Sequence, residues 1–102
     1  MPIPPKTVQD AAQSALDARA EVSPYLRAGT PVGIARARDL ARGADVSTNT
    51  LERMYSYLMR AKFDYDDARR QGKNIKNSKA IMAYYLWGGP SALAWVRREL
   101  DK

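Results

Sequence analysis

The chain has 102 residues, with 17 lysines and arginines against 11 acids, a net charge of +6, and neither histidine nor cysteine. That length suits one domain, and a 45% hydrophobic composition is enough to fold it around one core. The missing residue types exclude disulfides, thiolate metal sites and the two commonest catalytic side chains, and no apolar run approaches the ~18–20 residues of a membrane span.

The first residues, Met1-Pro2-Ile3-Pro4-Pro5, lack the basic and apolar regions of a signal peptide, and their prolines predict an extended tail over 1–6. A single helical domain is expected over 7–102. Thr7 reads as an N-cap, with Asp10 in the first turn to complement the helix dipole. Val8, Ala11, Ala12, Ala15, Leu16, Arg19 and Val22 then recur at helical spacing up to Ser23-Pro24. The face is mostly alanine, so it packs closely and buries little area.

After a connector at 25–29, Thr30-Pro31 reads as an N-cap followed by proline at the first helical position. Ile34, Ala37, Leu40 and Ala41 are expected inside, with Arg36, Arg38 and Arg42 toward solvent and Gly43 as the left-handed residue past the end. The clearest start follows. Ser47 caps, Val46 and Leu51 have hydrophobic-staple spacing, and Leu51, Met54, Tyr55, Leu58 and Met59 form one apolar stripe.

The pattern weakens after Lys62, where Phe63 and Tyr65 read as apolar anchors and one further helical turn runs to Gly72. Asn77 or Ser78 caps a short helix with Ile81, Met82, Tyr85, Leu86 and Trp87. Gly88-Gly89-Pro90 breaks it, and Pro90 opens a last helix with Leu93, Trp95, Val96 and Leu100. The expected fold is all-α, a compact bundle of four to five short helices. Its expected core is Leu16, Ile34, Leu40, Leu51, Met54, Tyr55, Leu58, Ile81, Leu86, Trp87, Trp95 and Val96.

Chemistry is sparse. Asp64, Asp66 and Asp67 form the only dense acidic cluster, without the glycine and distal glutamate of a calcium loop. With Arg69 and Arg70 adjacent, it reads better as a solvated, ion-paired helix turn. Gly88-Gly89 lacks the surroundings of a phosphate loop. Trp87 and Trp95 sit among apolar neighbours, so core is the better account than stacking platforms. No enzyme activity, cofactor or metal is expected.

Binding is the remaining expectation, and the charge favours a phosphate-rich partner. Residues 69–79 hold Arg69, Arg70, Lys73, Lys76 and Lys79 with no acid, which suits either a phosphate backbone or a solvated loop. Residues 34–58 read either as a helix-turn-helix presenting Asn49, Thr50 and Arg53 to base edges or as an ordinary αα-corner. The candidate nucleic-acid-binding residues are therefore Arg36, Arg38, Arg42, Arg53, Arg69, Arg70, Lys73, Lys76 and Lys79. The partner class is nucleic acid, bound without sequence preference, or a protein.

Three stretches carry a resemblance: Gly29-Thr30-Pro31-Val32-Gly33-Ile34-Ala35-Arg36-Ala37-Arg38-Asp39-Leu40-Ala41, Glu52-Arg53-Met54-Tyr55-Ser56-Tyr57 and Leu86-Trp87-Gly88-Gly89. Together with Val46-Ser47 and Ser78-Lys79 they resemble a small helical domain of tailed-bacteriophage proteins, over about residues 18–98. That domain stands alone or is attached to larger phage proteins, including the prohead proteases of capsid maturation. The family's usual His-Glu pair after the third helix and Gly-Asp after the tryptophan turn are replaced here by Arg60-Ala61-Lys62 and Pro90-Ser91. No catalytic or metal role transfers to those positions. The resemblance implies a phage protein tied to head assembly or DNA. The expected place is the host cytoplasm or virion, and the alternative role is a protein–protein adaptor or regulator acting on a phage structural protein or a host protein.

Overall fold

Hydroxyl caps set three of the helix starts. Thr30 Oγ1 accepts from the Gly33 amide at 3.1 Å, Ser47 Oγ from Thr50 at 3.2 Å and Ser78 Oγ from Ile81 at 3.2 Å. Each satisfies an amide that the helix itself leaves unpaired, worth about 1 kcal/mol. The computed structural model describes residues 2–102. It contains α1 (Lys6–Glu21), a 3₁₀ turn (Pro24–Leu26), α2 (Pro31–Ala41), α3 (Thr48–Arg70), α4 (Lys79–Leu86) and α5 (Pro90–Leu100). No strand occurs among the described residues. The protein is an all-α bundle of five short helices.

The first helix starts earlier than its sequence suggests. Pro5 is the N-cap, and its carbonyl accepts from the amides of Val8 and Gln9, both at 3.0 Å. Thr7 therefore lies within the helix, and its hydroxyl accepts from Ser91 Oγ at 3.0 Å at the start of α5. The proline tail is tied down. Pro4 is buried and its carbonyl accepts from Gln9 Nε2 at 2.8 Å, while the Pro2 carbonyl accepts from the Val46 amide at 2.9 Å.

The alanine face of α1 (Ala11, Ala12, Ala15 and Ala18, with Val8) is buried against α2 and α4. α3 packs on α4 and α5, and α4 touches α1, α2 and α3. The core gathers Leu40, Leu51, Met54, Leu58, Ile81, Leu86, Trp95 and Val96 as expected. Leu16, Ile34, Tyr55 and Trp87 are only half-buried. Leu16, Tyr55 and Trp87 pack at the edge of that core.

α3 does not weaken after Lys62 but continues unbroken to Arg70. Its buried stripe runs on through Tyr65 and Ala68, so only the polar residues between them disguise the period. Phe63, expected as an anchor, points away from that stripe and is 71% exposed. Two aromatic stacks fasten α3 to the α4 region. Tyr65 lies on Tyr84 with centroids 4.3 Å apart, and Tyr57 on Trp87 at 4.7 Å. Offset stacks of this kind add about 0.5–1.5 kcal/mol beyond area burial.

The turn from α4 to α5 presses onto α1. Gly88 has φ 109°, and a Cβ there would sit 2.7 Å from the Ala92 Cβ and 2.9 Å from the Val8 Cγ1. Only glycine combines that backbone angle with that approach.

Candidate nucleic-acid interface

The nine cations singled out by sequence do not form one face. On α2, Asp39 holds two of them. Arg42 Nη2 lies 2.9 Å from Asp39 Oδ1, and Arg36 Nη1 lies 3.8 Å from Oδ2. Arg36 is not on the solvent side as expected. Its side chain is 20% exposed, and its Nε is buried without a hydrogen-bond partner. Arg38 is exposed and has no carboxylate partner among the described residues.

Arg53 stands apart near the start of α3. Sixteen residues of helix separate it from Arg69, about 24 Å at 1.5 Å per residue. Asn49 and Arg53 are exposed, but α2 and α3 touch at most marginally, whereas the two helices of a helix-turn-helix pack on each other. α2 rests on α1 and α4, and α3 on α4 and α5. An αα-corner between these two helices finds no more support in their packing.

The remaining five candidates do come together, where α3 passes into α4. Gly72 turns the chain with φ 78°. The Lys73 amide then donates to the Ala68 carbonyl at 3.1 Å, the Asn74 amide to Asn77 Oδ1 at 2.8 Å and the Lys76 amide to Asn74 Oδ1 at 2.8 Å. These asparagine side chains replace missing backbone partners, so the turn is held in place rather than merely solvated. Ile75 tucks under it against the buried core.

Two of the five cations on this turn are paired and three are free. Arg70 Nη2 lies 3.1 Å from Asp67 Oδ1, and Lys76 Nζ lies 2.6 Å from Glu21 Oε2 at the end of α1. Both pairs are exposed, and such pairs contribute only about 0–1 kcal/mol, so a phosphate can compete for them. Arg69 lies 6.0 Å above the Tyr65 ring, and Lys73 and Lys79 have no acidic partner among the described residues. Lys73 and Lys79 border a hollow of about 300 Å³ that Gln71, Asn77, Asp64 and Asp67 also line.

The three aspartates of this region do not converge. Asp66 pairs with Lys62 at 2.6 Å, Asp67 takes Arg70 and accepts from Gln71 Nε2 at 2.9 Å, and Asp64 is exposed. Hydrogen bonding and the charge of Asp66 raise the Lys62 pKa above its ordinary value. No cluster of three or more metal-ligating side chains occurs among the described residues. Burial raises Tyr57 and Tyr84, and pushes Tyr65 up to about 12 with Tyr85 beside it. All three stay neutral at physiological pH and supply no base.

Sequence reasoning missed two arginines. The 3₁₀ turn folds back on α1, so that Arg19 and Arg27 join Arg38 around a second hollow, between α1 and α2. The only sequence hint was Arg19, an oddity on the alanine-rich face of the first helix. Comparison with protein-family models, curated proteins and solved structures finds no match for this chain.

Proposed function

We propose that this chain is a non-catalytic binding protein of bacteriophage type that associates with duplex DNA through its phosphates, without reading sequence. The observation that carries the reading is the α3–α4 turn. It offers Arg69, Lys73 and Lys79 to solvent free of carboxylate partners, on a backbone fixed by Asn74 and Asn77. Phosphate contacts need only cations at the right spacing, and base contacts need an element that enters a groove. The second requirement finds no support in helices that do not pair, so readout of sequence is not part of the reading. The resemblance of residues 29–41 and of Leu86-Trp87-Gly88-Gly89 to the phage domain supports a place in the virion or host cytoplasm, tied to DNA or head assembly.

Titration of a labelled duplex at several salt concentrations tests this. Each phosphate neutralised contributes a slope of about −0.9 in log affinity against log salt. Replacing Arg69, Lys73 and Lys79 together with glutamine flattens the slope by about 2.7, for every sequence alike. No binding at low salt refutes the DNA reading.

A second reading, a protein–protein adaptor, has its own observation. Met59 and Phe63 lie one turn apart on α3 and are 43% and 71% exposed. Exposed apolar anchors at that spacing suit a helix face that meets another protein. This reading predicts a complex that survives nuclease treatment and is lost in Phe63→Ala.

A further inference from the structure

The hollow between α1 and α2 is a different kind of place from the α3–α4 turn. It measures about 400 Å³ and is lined by Arg19, Arg27 and Arg38 over an apolar floor of Leu16, Ala20 and Ile34. No carboxylate lines it, and none of the three arginines has an acidic partner among the described residues. The neighbouring cations are matched with acids: Asp39 takes Arg36 and Arg42, and Glu21 takes Lys76. Three uncompensated guanidinium groups around one concavity are a net repulsion until an anion enters it.

Two of the three groups are held by main-chain carbonyls. Arg19 Nε donates to the Ala28 carbonyl at 2.9 Å, and Arg27 Nε donates to the Arg19 carbonyl at 2.9 Å. Using Nε this way fixes each guanidinium and leaves its terminal Nη groups without a partner. That is the fork suited to two oxygens of one anion. The Arg38 guanidinium has no hydrogen-bond partner among the described residues and is free to close over whatever the other two hold.

We infer that this hollow binds a phosphomonoester group. Three positive charges with no acid among them match a dianion better than the single charge of a backbone diester. The apolar floor accommodates the carbon skeleton that the phosphate carries. A hollow of this size takes a small molecule or a chain end rather than a continuous duplex. The site is separate from the α3–α4 turn and stands whether or not that turn binds DNA.

Melting and calorimetric titration of the full chain test it, with inorganic phosphate, a nucleoside 5′-monophosphate, sulfate and dimethyl phosphate as probes. The first three bind and raise Tm, and dimethyl phosphate binds at least tenfold more weakly. Nucleotide affinity falls as pH drops through about 6, where the monoester takes up its second proton, while sulfate affinity does not. Arg38→Gln keeps the fold, having no internal bond to lose, and weakens binding roughly ten- to a hundredfold. Arg53→Gln, far from the hollow, leaves binding unchanged. Arg27→Gln repeats the Arg38 test if Arg19→Gln fails to fold. Three results overturn the inference: no rise in Tm with any probe, equal losses in Arg38→Gln and Arg53→Gln, or a diester that binds as tightly as the monoester.

Discussion

Alanine at Gly88 and alanine at Gly72 differ in one physical respect, and the difference is measurable. Both glycines have positive φ, 109° and 78°, and an L side chain in a left-handed conformation costs roughly 1–2 kcal/mol. Both replacements recover about 0.4–1 kcal/mol by restricting the unfolded chain. At Gly72 nothing lies within 4 Å of the new Cβ, so the backbone term stands alone. At Gly88 the new methyl meets the Ala92 Cβ at 2.7 Å and the Val8 Cγ1 at 2.9 Å, both short, stiff side chains on helices. Overpacking of that kind adds about 1–3 kcal/mol. Gly72→Ala therefore costs up to about 1.6 kcal/mol, and Gly88→Ala is less stable than it by about 1–3 kcal/mol. In a domain of this size that separates their Tm values by at least about 4 °C. Thermal unfolding followed by far-UV circular dichroism reads the gap directly. Equal Tm values would show that the α4–α5 turn does not press on α1 and that the packing described is wrong.

Leu51 is 2% exposed and joins the Val46 staple to the α3 stripe, so Leu51→Ala costs roughly 2–5 kcal/mol, checked by urea denaturation. Purified protein with Mg²⁺ leaves plasmid DNA intact; cleavage that disappears in Asp66→Asn would overturn the non-catalytic reading. Tyr65 ionises near 12 rather than 10 because burial opposes its charged form. Its folded pKa is the higher one, so the stability it contributes is complete below pH 10 and is lost as pH climbs toward 12. Absorbance titration of wild type against Tyr65→Phe shows the late phenol, and a phenol already titrated by pH 10 would refute its burial.

Local signals were legible where one residue type does one job. Thr30, Ser47 and Ser78 cap as their hydroxyls dictate, Gly43 takes φ 72°, and Pro90 opens α5. Signals shared between neighbours were not. Pro5 takes the cap in place of Thr7, whose hydroxyl instead meets Ser91, a residue 84 positions away. The α3 stripe vanished into Asp64, Asp66 and Asp67, although Tyr65 and Ala68 keep it in phase with Leu58. At the candidate site, the acid-free run at 69–79 falls on one turn. Arg53 was drawn in by a helix pair that does not form, and Arg36 by a face that is mostly covered. Arg19 and Arg27 were invisible because only the 3₁₀ turn brings them together, and its three residues carry no helical period.

α4 is the shortest of the five helices, yet it alone rests on α1, α2 and α3. α1 with α2 makes one leaf, α3 with α5 the other, and α4 makes the main contact between them, helped by a light touch of α1 on α5. During synthesis the nascent chain therefore carries α1, α2 and most of α3 before anything exists to join them. The part of the alanine face that α4 covers stays open until α4 has emerged, and the Met54–Leu58 stripe until α5 has followed it. The two leaves therefore close late, when the last quarter of the chain, α4 and α5, is in place.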